Sequence, residues 1–397
     1  MKGGFPNRAD LLLRWDGQLF RPESSLGKGS QKSPRSLPQE LEAISVSLSD
    51  MIASVMRKTG LLLINLGTPN APSEDAVRDY LREFLMDPYV IDIAWPLRFL
   101  LVHGIILRKR PAASAEAYQK VWTERGSPLR TFTEELTQET AKTLAHDWSV
   151  KYAMRYGTPS IEKVVEEFAQ EFQENKLSKL IVIPLYPQYS TAATESSLVE
   201  TRQVISKHLP SVPVQYVREF YDHPAFLDAF AEVGRESLKK SGTDFVLFSF
   251  HGLPERQVQK LDKTRSHCLK DKSCCEKISE ANRDCYRAQC YVTARGIAER
   301  MGLDSTRYEV AFQSRLDQKW IRPFTDDLFD ELPKRGVKRI SVMCPSFVAD
   351  CLETLEEVQI RGREQFIAAG GTELHLVPSL NSSPAWVRAV AQIAGAI

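Results

Sequence analysis

The chain of 397 residues is long enough for two domains of ordinary size, since a single hydrophobic core rarely grows past about 250–300 residues. Its 43% hydrophobic and 26% charged residues are those of a globular protein in water, and 52 basic against 51 acidic side chains leave a formal net charge of +1. That balance supplies no global field to gather nucleic acid or an anionic membrane, and the longest apolar stretch, residues 91–107, is broken by Asp92, Pro96, Arg98 and His103 and does not read as a bilayer span.

Residues 1–57 carry eight serines between Ser24 and Ser49, with Pro22, Pro34 and Pro38 and no sustained periodicity, which is the composition of a disordered leader. Acidic side chains at Asp10, Asp16, Glu23, Glu40, Glu42 and Asp50 argue against a transit peptide, and no apolar stretch with a cleavage site argues for secretion. A cytoplasmic protein is expected, with Met56, just before the first strand, as an alternative start.

Residues 58–223 read as a first α/β domain. The strand over 58–66 runs into Gly67, Thr68 and Pro69 and then a helix over 73–85. One glycine in that turn makes neither a dinucleotide fingerprint nor a phosphate loop, which removes most support for nucleotide chemistry. Residues 91–107 then read as helix and meet Arg108, Lys109, Arg110 and Pro111. Two readings stand: a core helix with basic residues at its C-terminal end, or an exposed apolar flap over 91–110 whose basic hinge suits a flat apolar ligand carrying carboxylates. Further helices are expected from 118 to about 124 and up to about 146, then a strand over 151–154 that ends in Arg155 and Tyr156. A helix over 158–173 and a strand over 180–184 lead to LYPQYSTAAT, which sets Tyr186, Tyr189 and Ser190 at a strand's carboxyl end. A helix over 195–207 and a strand over 212–217 close this half.

Residues 224–381 read as a second α/β domain, and residues 382–397 as a C-terminal helix. After a helix over 225–239 comes FVLFSFHGLP. Residues 245–250 have the apolar, aromatic and β-branched character of a buried parallel strand, and His251 stands at its end. In open α/β sheets ligands bind outside the carboxyl ends of the strands, so that histidine is either aimed at a pocket or hydrogen-bonded in a loop. Strands over 308–312, 339–343 and 374–377 follow, with helices over 325–332 and from Pro384. Repeated βα units at this spacing call for an α/β fold with two parallel sheets.

The segment 262–290 interrupts this alternation. Five of the seven cysteines lie there: Cys268, Cys274, Cys275, Cys285 and Cys290. In a cytosolic chain, thiols so gathered point to metal ligands rather than disulfides. The paired two-residue hooks of zinc ribbons are absent, whereas an iron–sulfur cluster tolerates irregular spacing.

Residues 349–358 begin a helix. Asp350 and Glu353 have capping-box spacing, while Glu353 and Glu357, at i and i+4, put two carboxylates on one face. Like charges there oppose the helix. If that face shares a cleft with His251, the set can accept protons, pass them outward and offer ligands to a divalent metal.

FVLFSFHGLP, FQSRLDQKW and CPSFVADCLETLEEV resemble the ferrochelatase family, as do LLLINLGTPN, AYQKVWTERGSPL, MRYGTPSI and IPLYPQYS, in the same order and from about residue 61 to the C-terminus. The resemblance implies insertion of Fe2+, as substrate, into a porphyrin, usually protoporphyrin IX, giving protohaem and releasing two protons. It implies two Rossmann-like domains facing each other across a central porphyrin cleft. The family's histidine maps to His251 and its glutamate to Glu353, both at the metal; Glu357 and Asp350 are expected on a proton or metal path. Arg155 and Tyr156 map to the opposite wall and Trp320 to an aromatic beside the ring, with Tyr186, Tyr189 and Ser190 further along it. Arg108, Arg110 and Ser127 are candidates for the ring's propionates. Leu66 occupies a position that is tyrosine in relatives favouring coproporphyrin, which leans towards protoporphyrin IX. The cysteine-rich segment resembles the insert of bacterial ferrochelatases that hold a [2Fe-2S] cluster; Cys268, Cys275, Cys285 and Cys290 are the expected ligands, with Cys274 the alternative to Cys275. A related chelatase that loads cobalt or nickel into another tetrapyrrole is the nearest alternative. Peripheral contact with a membrane or a haem acceptor is expected at the flap.

Overall fold

Among the described residues eight strands form two sheets, every pairing of them parallel. The first has the order β2-β1-β3-β4, from β1 (Lys58–Gly67), β2 (Trp148–Tyr156), β3 (Leu177–Pro184) and β4 (Val214–Tyr216). The second has the order β6-β5-β7-β8, from β5 (Phe245–His251), β6 (Tyr308–Gln313), β7 (Arg339–Met343) and β8 (Glu373–Leu376). This is a computed structural model, and it describes residues 57–396 apart from Asp244 and Lys272; the expected leader up to residue 56 lies outside the described residues.

Helices in the first half are α1 (Glu74–Met86), α2 (Trp95–Leu101), α3 (Leu107–Val121), α4 (Pro128–Leu144), α5 (Ile161–Gln173) and α6 (Ser196–His208). The second half has α7 (Pro224–Ser241), α8 (Glu255–Gln259), α9 (Tyr286–Met301), α10 (Thr325–Glu331), α11 (Arg363–Ala368) and α12 (Pro384–Ile393). The inner strands β1 and β5 are apolar without alternation because helices cover both faces of each sheet: Leu61 to Ile64 and Val246 to Phe250 are all buried. One core runs from Leu61, Leu63 and Ile183 of the first sheet through Phe220, Phe226 and Trp386 to Phe248 and Phe250 of the second. The boundary expected at 223/224 therefore falls in the chain before α7, while the packing is continuous across it.

The helix expected over 91–107 is displaced and extended. It begins at Trp95, passes through a π turn at Val102–Ile106 and runs on to Val121. Pro111 lies inside it and cannot donate to the carbonyl four residues back. That carbonyl, of Leu107, instead accepts the Arg78 guanidinium from α1, so the proline leaves no orphaned acceptor. The cysteine-rich segment is also shorter as irregular chain than expected, because α9 starts at Tyr286 and already carries Cys290.

Candidate active site

The carboxyl end of β5 delivers His251, half-buried, between the Trp320 ring at 6.3 Å and the Phe347 ring at 6.1 Å between centroids. Its backbone N–H donates to Ser346 Oγ at 3.1 Å. Nδ1 lies 2.6 Å from the carbonyl oxygen of Gly252. A carbonyl only accepts, so Nδ1 carries the proton and Nε2 of the neutral ring is left with its lone pair. Gly252 is required by close approach: a Cβ there would stand 2.7 Å from the Gln313 carbonyl oxygen and 3.1 Å from the Trp320 ring.

Gln313 pairs with His251 across the β5–β6 ladder and joins the histidine to the acidic pair. Its Nε2 donates to the Glu353 carbonyl at 2.9 Å and to Glu357 Oε2 at 3.4 Å, while its Oε1 accepts from Ser249 at 2.7 Å. The Glu357 carboxylate also accepts from the Ser314 amide at 2.7 Å and the Ser314 hydroxyl at 2.5 Å. Burial pushes the Glu357 carboxyl above its ordinary value, the Ser314 hydroxyl pulls it back, as His251 does when it takes a proton, and Glu353 adds to the rise. Gln313 thus bridges the β-strand that ends in His251 and the segment that carries Glu353 and Glu357, a hundred residues on in sequence.

The helix carrying them differs from expectation. Glu353–Gly362 is π-helical, Leu352 is its N-cap and no Asp350–Glu353 capping box forms. Asp350 is buried, and its carboxylate accepts from Thr354 Oγ1 at 3.0 Å, Asn381 Nδ2 at 2.8 Å and the Ser379 amide at 3.2 Å. Those bonds fasten the turn before the π-helix. Glu356, on another face, pairs with Arg361 at 2.8 Å and with Lys120 of α3 at 3.7 Å.

A second group of the expected site residues stands at the ends of β1 and β2. Leu66 is half-buried there, one residue before Gly67, whose φ of +111° and approach to the Tyr156 carbonyl exclude any side chain. Arg155 and Tyr156 converge on Asp87, which the sequence reading did not single out: Asp87 Oδ2 accepts Arg155 Nη2 at 2.6 Å and the Tyr156 hydroxyl at 2.8 Å. Tyr186 is partly buried with its hydroxyl 3.3 Å from Ser197 Oγ. Tyr189 and Ser190 are employed internally, contrary to a place on the ring surface. Tyr189 is buried with Arg218 stacked 3.5 Å over its ring, and Ser190 Oγ caps the π turn at Thr191–Glu195. Ser127 is also buried, accepting the Thr68 hydroxyl at 2.8 Å, whereas Arg108 and Arg110 are exposed.

Between this group and the flap lies a recess of about 570 Å³, within the range of small-molecule sites. Thr68, Tyr80, Glu83, His103 and Gly157 are among its lining residues; His251, Glu353 and Trp320 are not. Tyr80 connects the two regions, since burial foremost and then the charges of Tyr118, Glu353 and Tyr156 push its phenol up. The flap itself is exposed and apolar: Trp95, Leu97, Leu100 and Ile105 are each more than half exposed. That disposes of the core-helix reading. Asp92 at its root pairs with Arg256 and Lys260 of the second half, and among the described residues no helix is long and apolar enough to cross a membrane.

The five gathered cysteines are all buried, unpaired thiols. Cys274 and Cys275 sulfurs are 3.6 Å apart, and Cys285 hydrogen-bonds to both Cys268 and Cys275. Cys268, Cys274 and Cys285 line a small cavity of about 10 Å³. Backbone N–H groups of Leu269 and Ala288 reach Cys274 and Cys285, and the Arg287 guanidinium donates to Cys275 Sγ at 3.1 Å. Thiols collected with amide and cationic donors aimed at sulfur fit an iron–sulfur cluster, whose thiolate charge such donors stabilise.

Apart from Asp87, the sequence reading gave no role to Gln313, Ser314, Ser346 and Phe347. All four stand inside stretches that it quoted as motifs, and their types alone carry no signal.

Two parallel α/β sheets that bring a histidine lone pair and two carboxylates to one site beside aromatic walls define an α/β enzyme built for proton and metal-ion chemistry. A model of the ferrochelatase family matches residues 58–396. A ferrochelatase of Pseudomonas aeruginosa (strain LESB58) is 49% identical over 341 residues, covering 86% of this chain and 98% of that protein. Those of Azotobacter vinelandii (48% over 340 residues, 85% and 98%) and Coxiella burnetii (strain Dugway 5J108-111; 46% over 338 residues, 85% and 93%) are similar throughout. The chain belongs to the ferrochelatase family.

Proposed function

We propose that His251, Glu353 and Glu357 carry out the reaction of a ferrochelatase: Fe2+ enters protoporphyrin IX, the two pyrrole N–H protons leave, and protohaem is formed in the last step of haem synthesis. The observation that carries this reading is the hydrogen bond from His251 Nδ1 to the Gly252 carbonyl, which leaves Nε2 as an acceptor in a site shared with two carboxylates. Nε2 takes one pyrrole proton as the macrocycle nitrogens close on the metal, and becomes an imidazolium. Glu357, whose carboxyl burial pushes above its ordinary value, and Glu353 one turn earlier pass protons outward and guide the cation. Trp320 stands against His251 and gives the ring a rigid wall. Leu66 supports protoporphyrin IX over coproporphyrin as substrate. Arg155, Tyr156 and Tyr186 form the opposite wall; Arg108 and Arg110, exposed beside the flap, are placed to meet propionates. Residues 58–223 and 224–381 act as the two walls of the cleft.

The cysteine-rich segment holds a [2Fe-2S] cluster through Cys268, Cys275, Cys285 and Cys290, with Cys274 the alternative to Cys275. When bound, such a cluster supplies one-electron redox capacity and cross-links the segment. The exposed apolar flap makes peripheral contact with a bilayer or a haem acceptor, and the protein is cytoplasmic. Metal insertion measured without oxygen tests the function: protoporphyrin IX is expected to be metallated, and failure with both protoporphyrin and coproporphyrin would end the assignment.

A further inference from the structure

We propose that Asp87 is a positioning residue for metal delivery: by cancelling the charge of Arg155 on the wall opposite His251, it sets the apparent affinity for Fe2+. The inference rests on the reading of the cleft as the site of iron insertion.

Asp87 stands directly after α1, and its backbone is fixed on both sides. Its N–H closes the helix on the Phe84 carbonyl, and its carbonyl accepts from Val90 and Ile91 at 3.1 Å each. Oδ1 accepts the Tyr89 amide at 2.7 Å. Oδ2 collects three donors: Arg155 Nη2 at 2.6 Å, Tyr156 Oη at 2.8 Å and Ser196 Oγ at 2.6 Å. Arg155 is held a second time by its Nε, which donates to Ser196 Oγ at 2.8 Å, and it stacks 4.6 Å over the Tyr156 ring. The carboxylate side chain is only 2% exposed and the guanidinium side chain 15%. A cation so enclosed is poorly screened by water, and its field reaches whatever shares the cleft.

The pair lies where that field matters. Arg155 precedes Gly157, which lines the recess, and the Gly157 amide donates to Glu83 Oε2 at 3.0 Å on the same lining. Tyr80, on that lining too, lies in the field of Tyr156 and of Glu353. A divalent cation passing this wall towards Glu353 meets a neutral pair. With the carboxylate removed it meets an uncompensated positive charge, which for separations on the order of 10 Å and an effective dielectric of about 50, between protein and water, disfavours its entry about tenfold.

The experiment is a double-mutant cycle on the full chain, with initial rates measured anaerobically against Fe2+ and against protoporphyrin IX. Asp87→Asn keeps the shape and removes the charge; KM for Fe2+ is expected to rise about tenfold, with KM for porphyrin and kcat changed less than twofold. The double variant Asp87→Asn/Arg155→Gln carries no net charge at this pair and is expected to return KM for Fe2+ to within twofold of wild type. A double variant that keeps the raised KM of Asp87→Asn, or a loss confined to kcat or to porphyrin binding, would overturn the proposal in favour of a purely structural role. Should Asp87→Asn not fold, Arg155→Gln alone decides: it leaves a buried anion and is expected to lower KM for Fe2+, and an unchanged or raised value overturns the proposal. Wild-type protein that metallates no porphyrin would remove the functional reading and this inference together, whereas active wild type with an unresponsive Asp87→Asn would remove only the inference.

Discussion

The imidazole Nδ1 of His251 donates to the carbonyl oxygen of Gly252, its own chain neighbour, across 2.6 Å. The base is therefore oriented by the same residue whose lack of a side chain lets the chain pass Trp320. Nitrogen-15 spectra of histidine-labelled protein at neutral pH are expected to show the tautomer protonated at Nδ1. A proton on Nε2 in the absence of substrate would contradict the role given to that nitrogen.

Gly252→Ala places a methyl group into the Gln313 carbonyl and the Trp320 ring. A loss of about 1–3 kcal/mol in stability is expected, the usual cost of overpacking a filled site. Porphyrin affinity should fall with it, read as quenching of tryptophan fluorescence on titration, because Trp320 must move. Unchanged stability and affinity would show that the contact yields freely.

Glu357 titrates above its ordinary 4.5, with burial as the leading cause. A carboxyl that holds its proton more tightly when folded stabilises the fold fully below its unfolded pKa, and that contribution is lost as pH rises through the folded value. Glu357→Gln cannot titrate, so it is expected to flatten this part of the stability profile, measured as urea midpoints between about pH 4 and 7. A profile with the wild-type slope would mean that the charge is not buried.

Protein purified without oxygen should be reddish brown, and Cys285→Ser should remove the visible absorption, because Cys285 hydrogen-bonds to two of the other thiols. Cys274→Ser and Cys275→Ser distinguish the two adjacent candidates: one is expected to bleach the protein and the other to leave its spectrum intact. Colourless protein holding one zinc ion would contradict the cluster.

Trp95 and Leu100, 59% and 64% exposed, are well-uncovered apolar side chains of the flap. Burying each in a membrane interface gives on the order of 1.5–3 kcal/mol, so Trp95→Ser with Leu100→Ser should reduce co-sedimentation with liposomes at least tenfold. Equal sedimentation of wild type and variant would remove the membrane from the account.

Much of this architecture was legible because the buried strands announce themselves. FVLFSF and LLLIN have no polar alternation, which only a sheet covered on both faces explains, and each ends at a residue that lines the site or stands beside it. The Glu353 and Glu357 ladder was legible as a like-charged i, i+4 pair, although its π-helical form was not, since no residue pattern signals that winding. The helix expected over 91–107 runs on to Val121, which was not legible because the group that satisfies the Leu107 carbonyl opposite Pro111, Arg78, comes from another helix. Tyr189 and Ser190 misled for the same reason: a strand's carboxyl end marks where the chain arrives, and only the packing of Arg218 shows that the ring is already covered. Asp87 was invisible because a lone acid after a helix reads as a turn residue, and its partners lie 68 and more positions away.

Anaerobic insertion of Fe2+ into protoporphyrin IX, followed by loss of porphyrin fluorescence for wild type, His251→Ala and Glu353→Gln, weighs most heavily on the whole account. Rapid metallation by wild type and a fall of at least about a hundredfold for His251→Ala are predicted, the usual contribution of a positioned base. Wild-type rates in the histidine variant would mean that the chemistry lies elsewhere.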